Sequence, residues 1–471
     1  MRSQFKVYSP GTYFWPLLLL LLYCNSSFSA DSKLAASEQL LQQQQAYSSQ
    51  LSDLESLHGQ YHPSLLEPLS GLVEVAQAMQ NHDRVSNVLR RQLLIVRAVQ
   101  GLQHIDQIPL IEALIDSQIR LGNWQEVGDH FEHLRLLKAA DADNDDQLQA
   151  IDDLLRWNLA RVYLENSTNR ERYIVKADDL SKQLVDLAED KYGKHSPALI
   201  PWLYEQALQQ YRLAELWVSE NSLSAASLER LSQSNIRHRS NNSFYLNTNM
   251  VNRSLLSRDP VAVNILRRGL NTMKRIHNLL ESTGDRQAQA MALIYQGDFQ
   301  LLMGFGSAQR SYREAWQLLI EAGIDKQRIS LFFSHPVKLP VESFFYNLEQ
   351  ASTFQRRHNA YSANTENIEY LGEFTAWHKS IGSVRQPLVP AQMTDLDLHY
   401  QSVDVSFAIS RNGKTSSLKL IDAPEQNIAP AGLRRNARQA VRKMLFRPHL
   451  VDGRSTKVED VRISYRELVN D

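Results

Sequence analysis

"LIEALIDSQIRLGNWQEVGDHFEHL", residues 110–134, decides how this chain is to be read. Leu114 and Ile115 mark the apolar side of one helix. Gly122 sits where a turn is needed. Trp124, Val127, Phe131 and Leu134 then recur at steps of three and four, the spacing of a second helix with one buried stripe. A helix, a tight turn and a second helix form a hairpin. A hairpin of this kind cannot bury both of its apolar stripes alone, so it predicts neighbours of the same kind.

A second stretch has the same layout. In "ALIYQGDFQLLMGFGSAQRSYREAW", residues 292–316, Gly297 takes a small position in the first helix, and Ala308, Tyr312 and Ala315 follow in the second. Small residues let two helices approach, while large ones fill the groove to the next pair. The two stretches resemble the tetratricopeptide repeat. Val127 and Leu134 are larger than its pattern prefers, and the turn in the second copy is about one residue short. Outward from these copies, helical segments alternate with short polar breaks from Asp31 to about Ala322. "YHPSLLEPL" from Tyr61 and "KHSPALIPWL" from Lys194 both place His and Pro ahead of an apolar helix. Proline is tolerated there because its missing N–H would be unpaired in a first turn. The expectation is a mainly α chain: an α-hairpin solenoid over 31–325, interrupted at 219–258 by a Ser- and Asn-rich insertion.

The period weakens after Ala322. Residues 326–395, which include "LFFSHPVKLPVESFF" at 331–345, are expected as a connector with some local structure. At Gln401 the period becomes two. Val403, Val405, Phe407 and Ile409 alternate with polar residues, "RNGK" at 411–414 supplies an Asn-Gly turn, and Ser417 to Ile421 return. Ala429 to Met444 reads as a helix, "LFRPHLVDGRS" at 445–455 as an extended piece with a tight turn, and Val458 to Tyr465 as a last strand. The order over 396–471 is ββαβ, a small α+β module. Its "ARQAVRKM", Phe-Arg-Pro and Asp-Gly together resemble the C-terminal domain of TonB-type proteins. That resemblance implies a periplasmic module that pairs a receptor peptide against a sheet edge. On it, the edge of the last strand (Val458, Val461, Ile463 and Tyr465) is the candidate partner surface. Phe446 is expected to pack helix against sheet, with Pro448 at a strand boundary where no ladder donor is needed.

Residues 1–29 read as a signal peptide. Arg2 and Lys6 precede the apolar run Leu17–Leu22, and Ser27-Phe28-Ser29 supplies small residues for cleavage after Ser29 or Ala30. The run falls short of the roughly 20 residues of a membrane span. The expected location is therefore the periplasm, and the chain is not expected to be integral once cleaved. The alternative is a TonB-type energy transducer or transport accessory that keeps this segment as an anchor. Cys24 is the only cysteine, so the cleaved chain has no thiol chemistry.

The formal net charge is -1, which gives no bulk attraction for nucleic acid. No phosphate loop, dinucleotide fingerprint, zinc-protease motif or nucleophile elbow is found, so no enzyme activity and no cofactor are expected. Two clusters invite a metal. "DADNDDQLQAID", 141–152, spaces Asp141, Asp143, Asp145 and Asp152 like a calcium loop. Asp146 stands where that loop needs glycine, and Asp152 replaces its bidentate Glu, so an acidic loop whose last Asp caps the next helix is the expected form. His130 and His133 lie a turn apart, with no third ligand for zinc. Arg434, Arg435, Arg438, Arg442 and Lys443 share one helix without an acid and could meet an anionic partner. The expected function is a non-enzymatic periplasmic adaptor that binds envelope proteins or peptides, with no metal.

Overall fold

The computed structural model describes residues 30–140, 144–164, 167–220, 260–358, 369–376, 400–421 and 429–468. The expected signal segment, nearly all of the 219–258 insertion and residues 141–143 of the acidic cluster lie outside them. The described residues form two compact units, one up to Val88 and one from Leu89.

The first unit holds α1 (Ala30–His58), α2 (Leu66–Ala78) and the start of α3 (His82–Gln100). α1 packs on α2. The contact is close because Gly71 has no Cβ where the Tyr47 ring lies.

The second unit continues α3 and adds α4 (Ile108–Arg120), α5 (Trp124–Ala140), α6 (Asn144–Leu164), α7 (Ser167–Tyr192) and α8 (Ile200–Glu220). After the undescribed segment come α9 (Pro260–Glu281), α10 (Arg286–Leu302), α11 (Ala308–Glu321) and α12 (Lys326–Ser334). Each helix from α4 to α12 packs on the next, so the unit is an array of stacked α-hairpins. The hairpins at 110–134 and 292–316 are α4–α5 and α10–α11. Gly297 explains its own smallness: a Cβ there would lie 2.7 Å from the Tyr312 ring.

The His-Pro echo has a structural cause, a capped turn that occurs three times among the described residues. A short 3-10 turn precedes α2, α4 and α8. Its first backbone N–H groups are capped by His62 Nδ1, His104 Nδ1 and Ser196 Oγ, at 3.3, 3.3 and 3.2 Å. In the Lys194 copy the cap is thus Ser196, not the histidine beside it. Each cap follows a left-handed glycine, Gly59, Gly101 or Gly193, that ends the preceding helix. The copy at His104 lacks the proline after its cap, which hides it from a His-Pro comparison.

The remaining elements are β1 (Val337–Lys338), α13 (Leu348–His358), β2 (Glu369–Ala376), β3 (Tyr400–Ile409), β4 (Thr415–Ile421), α14 (Ala431–Lys443), β5 (Phe446–Arg447), β6 (His449–Val451), β7 (Arg454–Thr456) and β8 (Val458–Leu468). β3, β4, α14 and β8 follow the expected ββαβ order. The sheet runs β2-β8-β3-β4, with β2 parallel to β8 and the other pairs antiparallel. α14 lays Leu433, Ala437, Ala440 and Val441 on this sheet, where they meet Phe407, Phe446 and Ile463. Phe446 is fully buried, 5.4 Å from Phe407 by ring centroids, and fills the packing role expected of it.

β2 corrects the expected partner edge. Val458–Tyr465 do not form an open edge, because β8 lies between β3 and β2. Val461, Ile463 and Tyr465 belong to the module core, and Val458 packs against it. Leu371 and Phe374 of β2 enter the same core, and Glu373 pairs with Arg466 of β8 at 2.6 Å. The strand that fills the edge comes from the stretch expected as a connector. The two remaining edges carry irregularities: a register shift with left-handed Gly372 in β2, and one with left-handed Ser417 in β4. Such bulges twist an edge away from further pairing.

Candidate functional site: where the module meets the array

The segment 445–455 is bound on two sides. On the module side, Phe446 N donates to Gly413 O at 2.9 Å, and Lys414 bridges to Leu445. On the other side, β1 pairs antiparallel with β5, joining Val337 to Arg447 and Lys338 to Phe446, and Leu339 N donates to Leu445 O at 2.8 Å. The Asp-Gly turn also docks. Gly453 lies against Trp316 of α11, and Ser455 Oγ donates to Gln309 Oε1 at 2.5 Å. β6 packs on α12.

Arg447 is the centre of this junction. Its Nε donates to Asp298 Oδ1 at 3.0 Å and its Nη2 to Asp298 Oδ2 at 2.6 Å. The pair is buried, with side chains 4 % and 2 % exposed. Asp298 sits mid-helix in α10, where Tyr312 OH also donates to Oδ1 at 2.8 Å. The Arg447 guanidinium lies 5.8 Å from the Tyr295 ring and 5.6 Å from Phe332. Burial would discharge Arg447, but the Asp298 carboxylate outweighs it and holds the guanidinium more firmly protonated than usual. Burial raises the Tyr312 and Tyr295 hydroxyls above their ordinary range, so both remain neutral donors.

The chain between β1 and α13 is an irregular, repeatedly bent segment that touches α8 and α10. Tyr204 OH donates to Val341 O. Tyr295 OH donates to Ser343 O at 3.0 Å and accepts from Phe345 N at 3.1 Å. The Phe344 ring lies 5.6 Å from Tyr204 and 4.8 Å from Tyr295. Two tyrosines of the array therefore hold this segment by its peptide groups. The occupant is the chain itself.

The candidate metal clusters take other roles. α6 starts at Asn144, so residues 144–152 are helical and no calcium loop is formed by them. Asp152 does not cap a helix. It lies inside α6, buried, and accepts from Arg156 Nε at 2.7 Å. Burial pushes its carboxyl up to about 6 despite Arg156. Asp145 meets Lys191 and Tyr192 instead. His130 and His133 are half-buried, and His133 Nδ1 accepts from Arg97 Nη2 at 3.0 Å. Among the described residues no group of three metal-ligating side chains is found. Arg435, Arg438 and Arg442 are exposed on α14, and Arg434 is half-buried.

Asp298, Arg447, Tyr204 and Tyr295 were not singled out by the sequence reading. Two signals were available. Asp298 interrupts an apolar helix between Gly297 and Phe299. Arg447 stands inside the buried run from Met444 to Pro448.

No protein-family model matches the chain, and no curated protein matches it. Among solved structures, the chain is similar to one described as a kinesin light chain of Podosopora anserina with nearly identical TPR-like repeats. The identity is 16 % and the TM-score 0.27, over 44 % of this chain and 95 % of that one.

Proposed function

We propose that this chain is a non-enzymatic scaffold of the periplasm, exported by residues 1–29. Its tetratricopeptide-like array and TonB-like terminal module together present binding surfaces to envelope proteins. One observation carries the reading: Tyr204 and Tyr295 hold segment 341–345 through peptide-group hydrogen bonds. Such bonds do not depend on the side chains of the segment held, so tyrosines placed this way can hold backbone of many sequences. Because the junction is buried, the module is an anchored part of the array rather than a tethered reader. Among the described residues no helix is long and apolar enough to cross a membrane.

Site-specific photo-crosslinkers in the full chain test this, placed at exposed positions on α4 and α6 and on the β2 and β4 edges. The expected products are envelope proteins, recovered from intact cells. Mass spectrometry should find the mature N-terminus at Ala30 or Asp31. Cross-links confined to cytosolic proteins, or an intact Met1 on the exported protein, would overturn the reading.

A further inference from the structure

On several helices a cation has an acid one turn away: Arg120 with Asp116, Arg156 with Asp152, Lys182 with Asp178. α14, AGLRRNARQAVRK, contains no acid. Steps of three and four residues bring Arg435, Arg438 and Arg442 into one stripe, along about 10 Å of helix. The stripe lies opposite Leu433, Ala437, Ala440 and Val441, which are buried in the module. All three arginines are exposed, and with Arg434, Ala431 and Gln439 they line one shallow surface. Lys443, one residue past Arg442, is turned away from the stripe by the helical step of about 100°.

The shape of this face selects among anionic partners. Among the described residues only α14 lines it, with no second wall to enclose a peptide and no aromatic ring on which a base could stack. A helix also has no strand edge to extend. What fits a stripe of exposed arginines is a plane of negative charge, where each guanidinium can donate to a separate phosphate. We infer that the outer face of α14 docks on an anionic, phosphate-bearing lipid surface through Arg435, Arg438 and Arg442. The contact is peripheral, since no apolar side chain larger than Ala431 shares the stripe, and it holds the terminal module against a membrane.

Vesicle co-sedimentation of the full chain tests the inference. It uses phosphatidylcholine vesicles with and without about one-third phosphatidylglycerol, the neutral vesicles giving the baseline set by the apolar Leu17–Leu22 run. Anionic vesicles should bind the chain above that baseline, and 0.5 M salt should remove the excess. The triple variant Arg435→Gln/Arg438→Gln/Arg442→Gln should lower the excess partition by roughly a hundredfold, from about 1 kcal/mol per cation. The triple lysine variant should retain most of it, with both variants keeping the parent circular dichroism. No excess over neutral vesicles overturns the inference. So does an excess unchanged by the glutamine variant, or retention on an acidic peptide column with no vesicle binding.

Discussion

Replacing Arg447 by Met should open the junction between array and module while leaving the helices folded. The substitution removes both donors from Asp298, which keeps only the Tyr312 hydroxyl inside a site where its side chain is 2 % exposed. Breaking a buried pair on one side costs about 3–5 kcal/mol, because the surviving charge stays desolvated and unpaired. The effect should be local. Leu339 N and Phe446 N bond across the segment that Arg447 anchors, so their amides report on its opening. At about 1.4 kcal/mol per tenfold, their protection from hydrogen exchange should fall by roughly two to three and a half orders of magnitude. Peptides from α4 to α7 should be unaffected. Adding Asp298→Leu to Arg447→Met should restore most of the protection, since an apolar pair of similar volume replaces a buried ion pair with little loss. A single variant within threefold of the parent, or a double variant as exposed as the single, would refute the assignment of Arg447 as the anchor.

Other outcomes follow from the same packing. Phe446→Ala should destabilise the terminal module by about 3–5 kcal/mol, read as a lower urea midpoint for the fluorescence or exchange signal of residues 400–468 in the full chain. Gly297→Leu should cost at least about 1–3 kcal/mol by driving the Tyr312 ring from its seat, whereas Gly432→Ala, with nothing near its Cβ, should be neutral or stabilising in the same melt. His133 is held neutral, chiefly by burial and then by Arg97, so its folded pKa lies below its unfolded one. Its contribution is therefore present above about pH 6.5 and lost as pH falls through the lowered folded value. Melting temperatures should drop more between pH 7 and pH 5 for the parent than for His133→Gln; parallel curves would contradict this.

The helices were legible because their packing is local: a stripe at steps of three and four is written in consecutive residues. The ββαβ strands were legible for the same reason, with Val403, Val405, Phe407 and Ile409 alternating. β2 was not. Leu371 and Phe374 both enter the core, but the shift at Gly372 breaks their period of two. Once β2 was missed, the edge of β8 looked open. The acidic run misled for another reason. Spacing alone suits a calcium loop, but Leu148 and Ile151 are buried as a helical stripe and take the backbone with them. Asp298 and Arg447 lie 149 residues apart, and no local pattern can couple residues so far separated. The three-fold glycine-and-cap turn lay between these cases: each copy is local, but its cap is His in two copies and Ser in the third, which obscures it.

The separation of Asp298 from Arg447 also sets an order of assembly. A chain made from its N-terminus completes α8 and α10 long before residue 447 emerges. Until then Asp298 has no counter-ion, and β2 has no β8 to lie against. The loop that must close is long, so its closure entropy is met late, by contacts that arrive together. The array should therefore mature in two stages: an early one that propagates through neighbouring hairpins, and a final one triggered by the last strand. In that interval Leu371 and Phe374 lack the β8 residues that cover them, and a folding assistant would have an apolar face to protect there.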